Sequence, residues 1–254
     1  IKVLGYQEHE ILTRNYSEFI REDYIDEMMC FYQNLEENEF DFPTIEIPLL
    51  KKNGEIIWIS QKVIIRRNDL GEIIGYSGIA RDITKLKNIE EENKIRNSKI
   101  EEYNSAIKKL STINFSNHEN IDFVVKLILE TAAKASHSDR VSYWKYTDSR
   151  IVCKNLFRLN TNDYGEKIVL TKEKFPIYFE SIKSKTLISS TDVFNEWELS
   201  EFTENYFLKN NIKSSLDIPI FINGEIKGII CFETTIAKRN WDNEDINFSR
   251  NHSE

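Results

Sequence analysis

Residues 82–110 read DITKLKNIEEENKIRNSKIEEYNSAIKKL, a run with no proline and no glycine. Glu, Lys, Ile and Leu dominate it, and these residues cost little in a helix. With Leu86 at heptad position a, the residues Leu86, Ile89, Asn93, Arg96, Ile100, Tyr103, Ile107 and Leu110 alternate between a and d without a break. A stripe spaced 3, 4, 3, 4 is the seam of a left-handed coiled coil. Glu90 with Lys94 and Glu92 with Arg96 stand four apart in the favourable order and support the helix itself. Asn93 and Arg96 make the middle of the seam polar, and a buried Asn at a trades stability for register. The alternative is a linker helix that packs on its own flanking units. In either case the chain divides into a unit before this helix and a mixed unit after it.

The 254 residues leave room for two domains of ordinary size. A net charge of −8, with basic residues only in pairs such as Arg66-Arg67 and Lys108-Lys109, argues against nucleic acid and anionic membrane as partners. Cys30, Cys153 and Cys231 are odd in number and widely spaced, which suits neither a disulfide framework nor a zinc site. The expected compartment is therefore reducing and cytoplasmic. No apolar run reaches the roughly 18 residues of a membrane span, and no signal peptide is visible. The chain opens at Ile1 and reads as a fragment, so a membrane anchor in the parent protein stays open.

Upstream of the helix, Ile25, Met28, Met29, Tyr32 and Leu35 fall at helical spacing. Pro43 and Pro48 bracket an extended run. Lys52-Asn53-Gly54-Glu55 then lies between two β-rich runs and predicts a type I′ hairpin. Asn68-Asp69-Leu70-Gly71 is a second turn, and a last strand feeds into the helix. Leu4-Gly5-Tyr6, this hairpin with Trp58 beyond it, and Gly75-Tyr76-Ser77-Gly78-Ile79-Ala80-Arg81-Asp82-Ile83-Thr84 resemble a PAS domain with its C-terminal PAC half. The resemblance implies a domain that has lost the first two of five strands. It also makes Asp82 and Thr84 part of the motif that launches a signalling helix.

Downstream, Ile121, Val124, Val125, Ile128, Leu129 and Ala132 form an apolar helical face. Strands are expected at RVSYWKY and RIVCKNLFRL, then a helix at FPIYFESIKSK, a β run at TLISS and a second helix near EFTENYFLKNN. The strands SSLDIPIFI and IKGIICFET follow, joined at Asn223-Gly224, and Trp241 with Glu244-Asp245 opens a last helix. Leu216-Asp217-Ile218-Pro219-Ile220, Gly224, Gly228, Ile229, Glu233 and the closing Trp241 with Glu244-Asp245 resemble a GAF domain.

The expected fold class is thus α+β: two antiparallel-sheet sensor domains joined by a long signalling helix. The expected division is a PAS/PAC-like domain over 1–84, a coiled-coil linker over 85–111 and a GAF-like domain over 112–254. PAS, helix and GAF in series are similar to the sensory region of bacterial sensor histidine kinases or diguanylate cyclases. That implies a homodimer and an output domain beyond residue 254.

Motifs of catalysis are missing: GxGxxG, the P-loop, HExxH and CxxC are all absent. His118 before Glu119 resembles a phosphoacceptor histidine but lacks the Arg and Pro that follow in that family. His9, His118, His137 and His252 have no metal-ligand spacing. The chain therefore reads as no enzyme in itself, and no cofactor is named. A small-molecule pocket in the second unit is expected from Phe157, Phe175, Tyr178, Phe179 and Trp197, with Asp217 or Asp192 supplying polarity. The alternative is that these aromatics only fill the core. Asp82, Thr84, Asn93 and Arg96 are the candidate relay residues.

Overall fold

The structure is a computed structural model and describes residues 3–37, 43–112, 121–165 and 168–251. It separates into two compact units, Ile1–Arg96 and Asn97–Glu254.

In the first unit, α1 (Glu8–Leu12) and α2 (Ile25–Glu37) precede three strands, β1 (Thr44–Leu50), β2 (Ile56–Arg67) and β3 (Ile73–Asp82). They pair in the order β1-β2-β3, antiparallel throughout. Period-2 alternation points Ile45, Ile47 and Leu49 of β1 and Ile57 and Ile59 of β2 to one face, where they meet Phe19, Ile20 and Met28. The helical face of α2 differs from the expected one. Met28 and Leu35 are buried, but Met29 is more than half exposed, because a stripe through 25, 28, 32 and 35 leaves 29 a full step outside it.

The hairpin between β1 and β2 also departs from expectation. A type I′ turn needs positive φ at both central residues, and here only Gly54 has it. The loop is longer: Lys51 N–H donates to Glu55 O at 2.8 Å, and Gly54 N–H donates to Lys51 O at 2.9 Å. Asn53 uses its side chain instead, accepting from Glu55 N–H at 3.1 Å. The same dipeptide behaves as predicted at Asn223-Gly224, where both residues have positive φ and Ile222 pairs directly with Glu225. Strand register decides which turn the two residues make.

Helix α3 runs from Thr84 to Ser111, close to the expected bounds, and the division between the units falls within it. The Asp-Ile-Thr motif is a clamp on its first turn. Ile83 N–H donates to Trp58 O, and Trp58 N–H donates to the Thr84 hydroxyl, both at 2.9 Å. Asp82 accepts from Thr84 N–H at 2.9 Å. The start of α3 is thereby hydrogen-bonded to β2.

The second unit holds α4 (Ile121–Ser136), β4 (Arg140–Tyr146), β5 (Arg150–Arg158), β6 (Asp163–Tyr164), β7 (Val169–Thr171), α5 (Pro176–Ser184), β8 (Ile188–Ser190), α6 (Leu208–Asn210), β9 (Ser214–Ile222), β10 (Glu225–Thr234) and α7 (Asn243–Asn251). The sheet order is β6-β5-β4-β10-β9-β8, with β7 also on β5, and every pairing is antiparallel. Both faces are covered. One packs on Tyr103 and Ala106 of α3, on α4, and on Trp241 and Phe248. The other packs on α5 and on the segment from Trp197 to Phe207. The helix expected near EFTENYFLKNN is irregular: a 3-10 turn over Trp197–Phe202, a π-turn over Thr203–Phe207, then the three residues of α6.

The C-terminal half of the α3 seam is used within the second unit. Tyr103 and Ala106 are buried and Ile107 packs against the same cluster, as in the linker-helix alternative. Leu86, Ile89 and Asn93 remain exposed.

Candidate ligand-binding site

Strands β9 and β10 are buried on both faces and should be apolar throughout. On one face they are: Leu216, Ile218, Ile230 and Phe232. On the other, alternate positions place Ser215, Asp217, Cys231 and Glu233 side by side, with Cys231 directly opposite Asp217 and Glu233 opposite Ser215. These four polar side chains floor a small cavity. Trp144, Ile151 and Leu170 wall it, and Tyr178, Leu199, Phe202, Tyr206 and Phe207 roof it. Its volume is about 30 Å³, room for about two water molecules.

The floor is held by charge-assisted hydrogen bonds. Arg140 Nε donates to Glu233 at 2.9 Å, Nη1 to Asn210 at 2.9 Å and Nη2 to Tyr206 at 3.1 Å. Burial works against the Arg140 charge, but Glu233 and Tyr206 outweigh it and hold its pKa above the ordinary value. Among the described residues Asp217 has no such cation. It accepts from the Tyr178 hydroxyl at 2.8 Å and faces the Cys231 thiol. Burial raises its pKa to about 6, against the pull of those two donors. Burial likewise pushes the Tyr178 hydroxyl and the Cys231 thiol well above their usual ranges, so both stay protonated donors. The Ser215 hydroxyl, on a residue 2% exposed, has no hydrogen-bond partner.

Of the residues expected at a pocket, Tyr178 and Asp217 line this cavity. Phe175 and Phe179 are buried in the same core but stand behind its wall; Phe175 stacks on the roof residue Phe202 at 4.7 Å. Phe157 faces the opposite side of the sheet. Opposite β4, Tyr143 pairs with Asn155 but Trp144 pairs with Cys153, so Lys154 is an extra residue that reverses the alternation before Phe157. Trp197 is 68% exposed at the start of the 3-10 turn. Asp192 lies at the surface, paired with Lys238 at 2.5 Å. Sequence reasoning missed Ser215, Cys231 and Glu233, although their two-residue spacing in otherwise apolar strands was the available signal.

Among the described residues no group of His, Cys, Asp and Glu side chains could hold a metal ion. Cys153 and Cys231 are buried free thiols and Cys30 is exposed. His118 lies outside the described residues. No described helix is long and apolar enough to cross a membrane.

A family model described as PAS fold matches residues 1–80. The three-stranded antiparallel sheet of the N-terminal region is PAS-like. A methyl sulfide methyltransferase-associated sensor of Methanosarcina acetivorans is 33% identical over 93 residues, which cover 36% of this chain and 9% of that protein. The chain therefore spans only a small part of this relative. Among solved structures, the GAF domain of a phosphoenolpyruvate-protein phosphotransferase from Coxiella burnetii is similar, at 18% identity and TM-score 0.46, covering 59% of this chain and 86% of that one. The GAF domain of a two-component sensor histidine kinase from Bacillus halodurans is similar at 17% identity and TM-score 0.42, over 54% of this chain and 90% of that one. The chain thus has an N-terminal region that matches the PAS fold, followed by a mixed unit in which an antiparallel sheet is covered by helices on both faces.

Proposed function

We propose that this chain is the sensory region of a signal-transduction protein, and that the cavity over Asp217 receives a small ligand. The observation that carries the reading is the cluster of Ser215, Asp217, Cys231 and Glu233 on one face of two otherwise apolar central strands. A buried polar side chain costs stability unless it is hydrogen-bonded, and within this cluster the Ser215 hydroxyl is left without a partner. Occupancy would shift β9 and β10, whose opposite face packs on Tyr103 of α3. The exposed stripe of Leu86, Ile89 and Asn93 would pair α3 with a second copy, giving a homodimer. The output is a sensor histidine kinase in a cytoplasmic part of the parent protein, with a diguanylate cyclase as the alternative. The domain division is 1–84, 85–111 and 112–254.

A second reading is a ligand-free dimerisation and interaction module. The cavity volume of about 30 Å³ favours it, since small-molecule pockets run to hundreds of Å³. A thermal-shift screen of a metabolite library against wild type and Ser215→Leu, which fills the cavity, separates the two. Ligand sensing predicts compounds that raise the Tm of wild type alone. Equal shifts in both proteins, or none in either, would favour the ligand-free module.

A further inference from the structure

The cavity is not electrically balanced. Its charged groups are Asp217 and Glu233 on the floor and Arg140 beside Glu233. All three guanidinium nitrogens of Arg140 are committed, to Glu233, Asn210 and Tyr206, so none serves Asp217. The donors on Asp217 are neutral, a phenol and a thiol. Among the described residues, two carboxylates and one cation meet at this cavity, and the cation is spent on Glu233, which leaves Asp217 without a cationic partner. Two residues along β9, the buried Ser215 hydroxyl waits without a partner. Trp144, Phe202 and Tyr206 are also among the lining residues, and aromatic faces attract cations.

We propose that the cavity selects a small organic cation, a protonated amine or amidinium carried on a compact apolar body. This rests on the reading of the cavity as a ligand site and adds the chemical class. Its N–H groups would meet Asp217 and Ser215, and its apolar part would lie against Leu199 and Phe202. A carboxylate or phosphate would meet the repulsion of Asp217, and a neutral ligand would leave that charge unanswered. The cavity must widen to admit such a ligand. The roof is the place for it, because Tyr206 and Phe207 sit on the π-turn Thr203–Phe207, where the backbone leaves the regular helical ladder.

The test is titration calorimetry of the full chain at pH 7.5 with primary ammonium ions from methylammonium to benzylammonium. The matching alcohols and benzoate serve as neutral and anionic controls. The proposal expects at least one ammonium ion to bind while its alcohol binds at least tenfold more weakly. It expects Asp217→Asn to lose at least tenfold affinity and Ser215→Leu to lose binding. Far-ultraviolet circular dichroism and Tm show whether each variant is folded, and Ser215→Ala, a smaller change, should weaken binding with the fold intact. Binding of alcohols or benzoate as tight as that of the ammonium ions, blocked by Ser215→Leu, would overturn the cation class and leave the ligand site standing. No compound binding wild type, here or in the metabolite screen, would overturn both.

Discussion

Tyr103 on α3 donates its hydroxyl to Asp245 on α7, two residues 142 apart in sequence, at 2.5 Å in a buried setting. The ring of Tyr103 stacks on Phe248 with centroids 4.0 Å apart. Lys99 and Arg239 reach the same carboxylate at 2.8 and 2.6 Å. Burial alone would raise the pKa of Asp245, but Lys99, Tyr103 and Arg239 together hold it below its usual 3.8. This junction ties the C-terminal half of α3 to the second unit. Tyr103→Phe keeps the stack and loses the hydrogen bond, with an expected cost of about 1–2 kcal/mol. Asp245→Ala strands two cations and should cost more, about 3 kcal/mol. Urea unfolding of the chain measures both, and equal costs would contradict the assignment.

Asp217 and Asp245 give opposite pH dependences. Asp245, held below 3.8, contributes stability present above that pH and lost as pH falls. Asp217, raised to about 6 from 3.8, contributes stability present below 3.8 and lost as pH rises through about 6. That gap corresponds to about 3 kcal/mol. Asp217→Asn should therefore match wild type near pH 4 and exceed its stability above pH 6. Parallel Tm profiles of the two proteins from pH 4 to 7.5 would contradict this.

The Arg140–Glu233 pair, at 2.9 Å and buried on both sides, is costly to halve. Arg140→Met leaves Glu233 as an unpaired buried charge and should destabilise by about 3–5 kcal/mol. Adding Glu233→Leu removes that charge, so the double variant should be more stable than Arg140→Met alone. A double-mutant cycle in urea checks the order.

Thr84 anchors the first turn of α3 by accepting from Trp58 N–H. Thr84→Val removes the acceptor and should cost about 1–2 kcal/mol, whereas Thr84→Ser should cost under about 0.5 kcal/mol. Hydrogen exchange at the Trp58 amide should quicken in the valine variant and stay slow in the serine variant.

Much of this fold was legible because its signals are local. The periodicity of residues 82–110 gives α3, and the Asn223-Gly224 turn gives the β9–β10 hairpin. What stayed hidden depends on register and on partners distant in sequence. The extra residue at Lys154 moved Phe157 to the other face, and no local pattern announces a bulge. Trp197 looks like a core residue by type, yet the 3-10 turn leaves it exposed. The lower seam of α3 reads as a coiled coil because Tyr103 and Ile107 are apolar at heptad spacing. Their partners in the structure come from the same chain, over 100 residues later in the case of Phe248. The floor of the cavity was visible only as polar residues at alternate positions of two apolar strands.

The central claim is that filling the cavity over Asp217 is felt at Tyr103 through β9 and β10. Hydrogen exchange read by mass spectrometry on wild type and on Ser215→Leu, whose larger side chain imitates occupancy, addresses it directly. The account predicts changed protection both in the roof, residues 203–210, and in α3 at residues 99–107, on the far side of the sheet. A change confined to the roof, with α3 exchanging as in wild type, would contradict it.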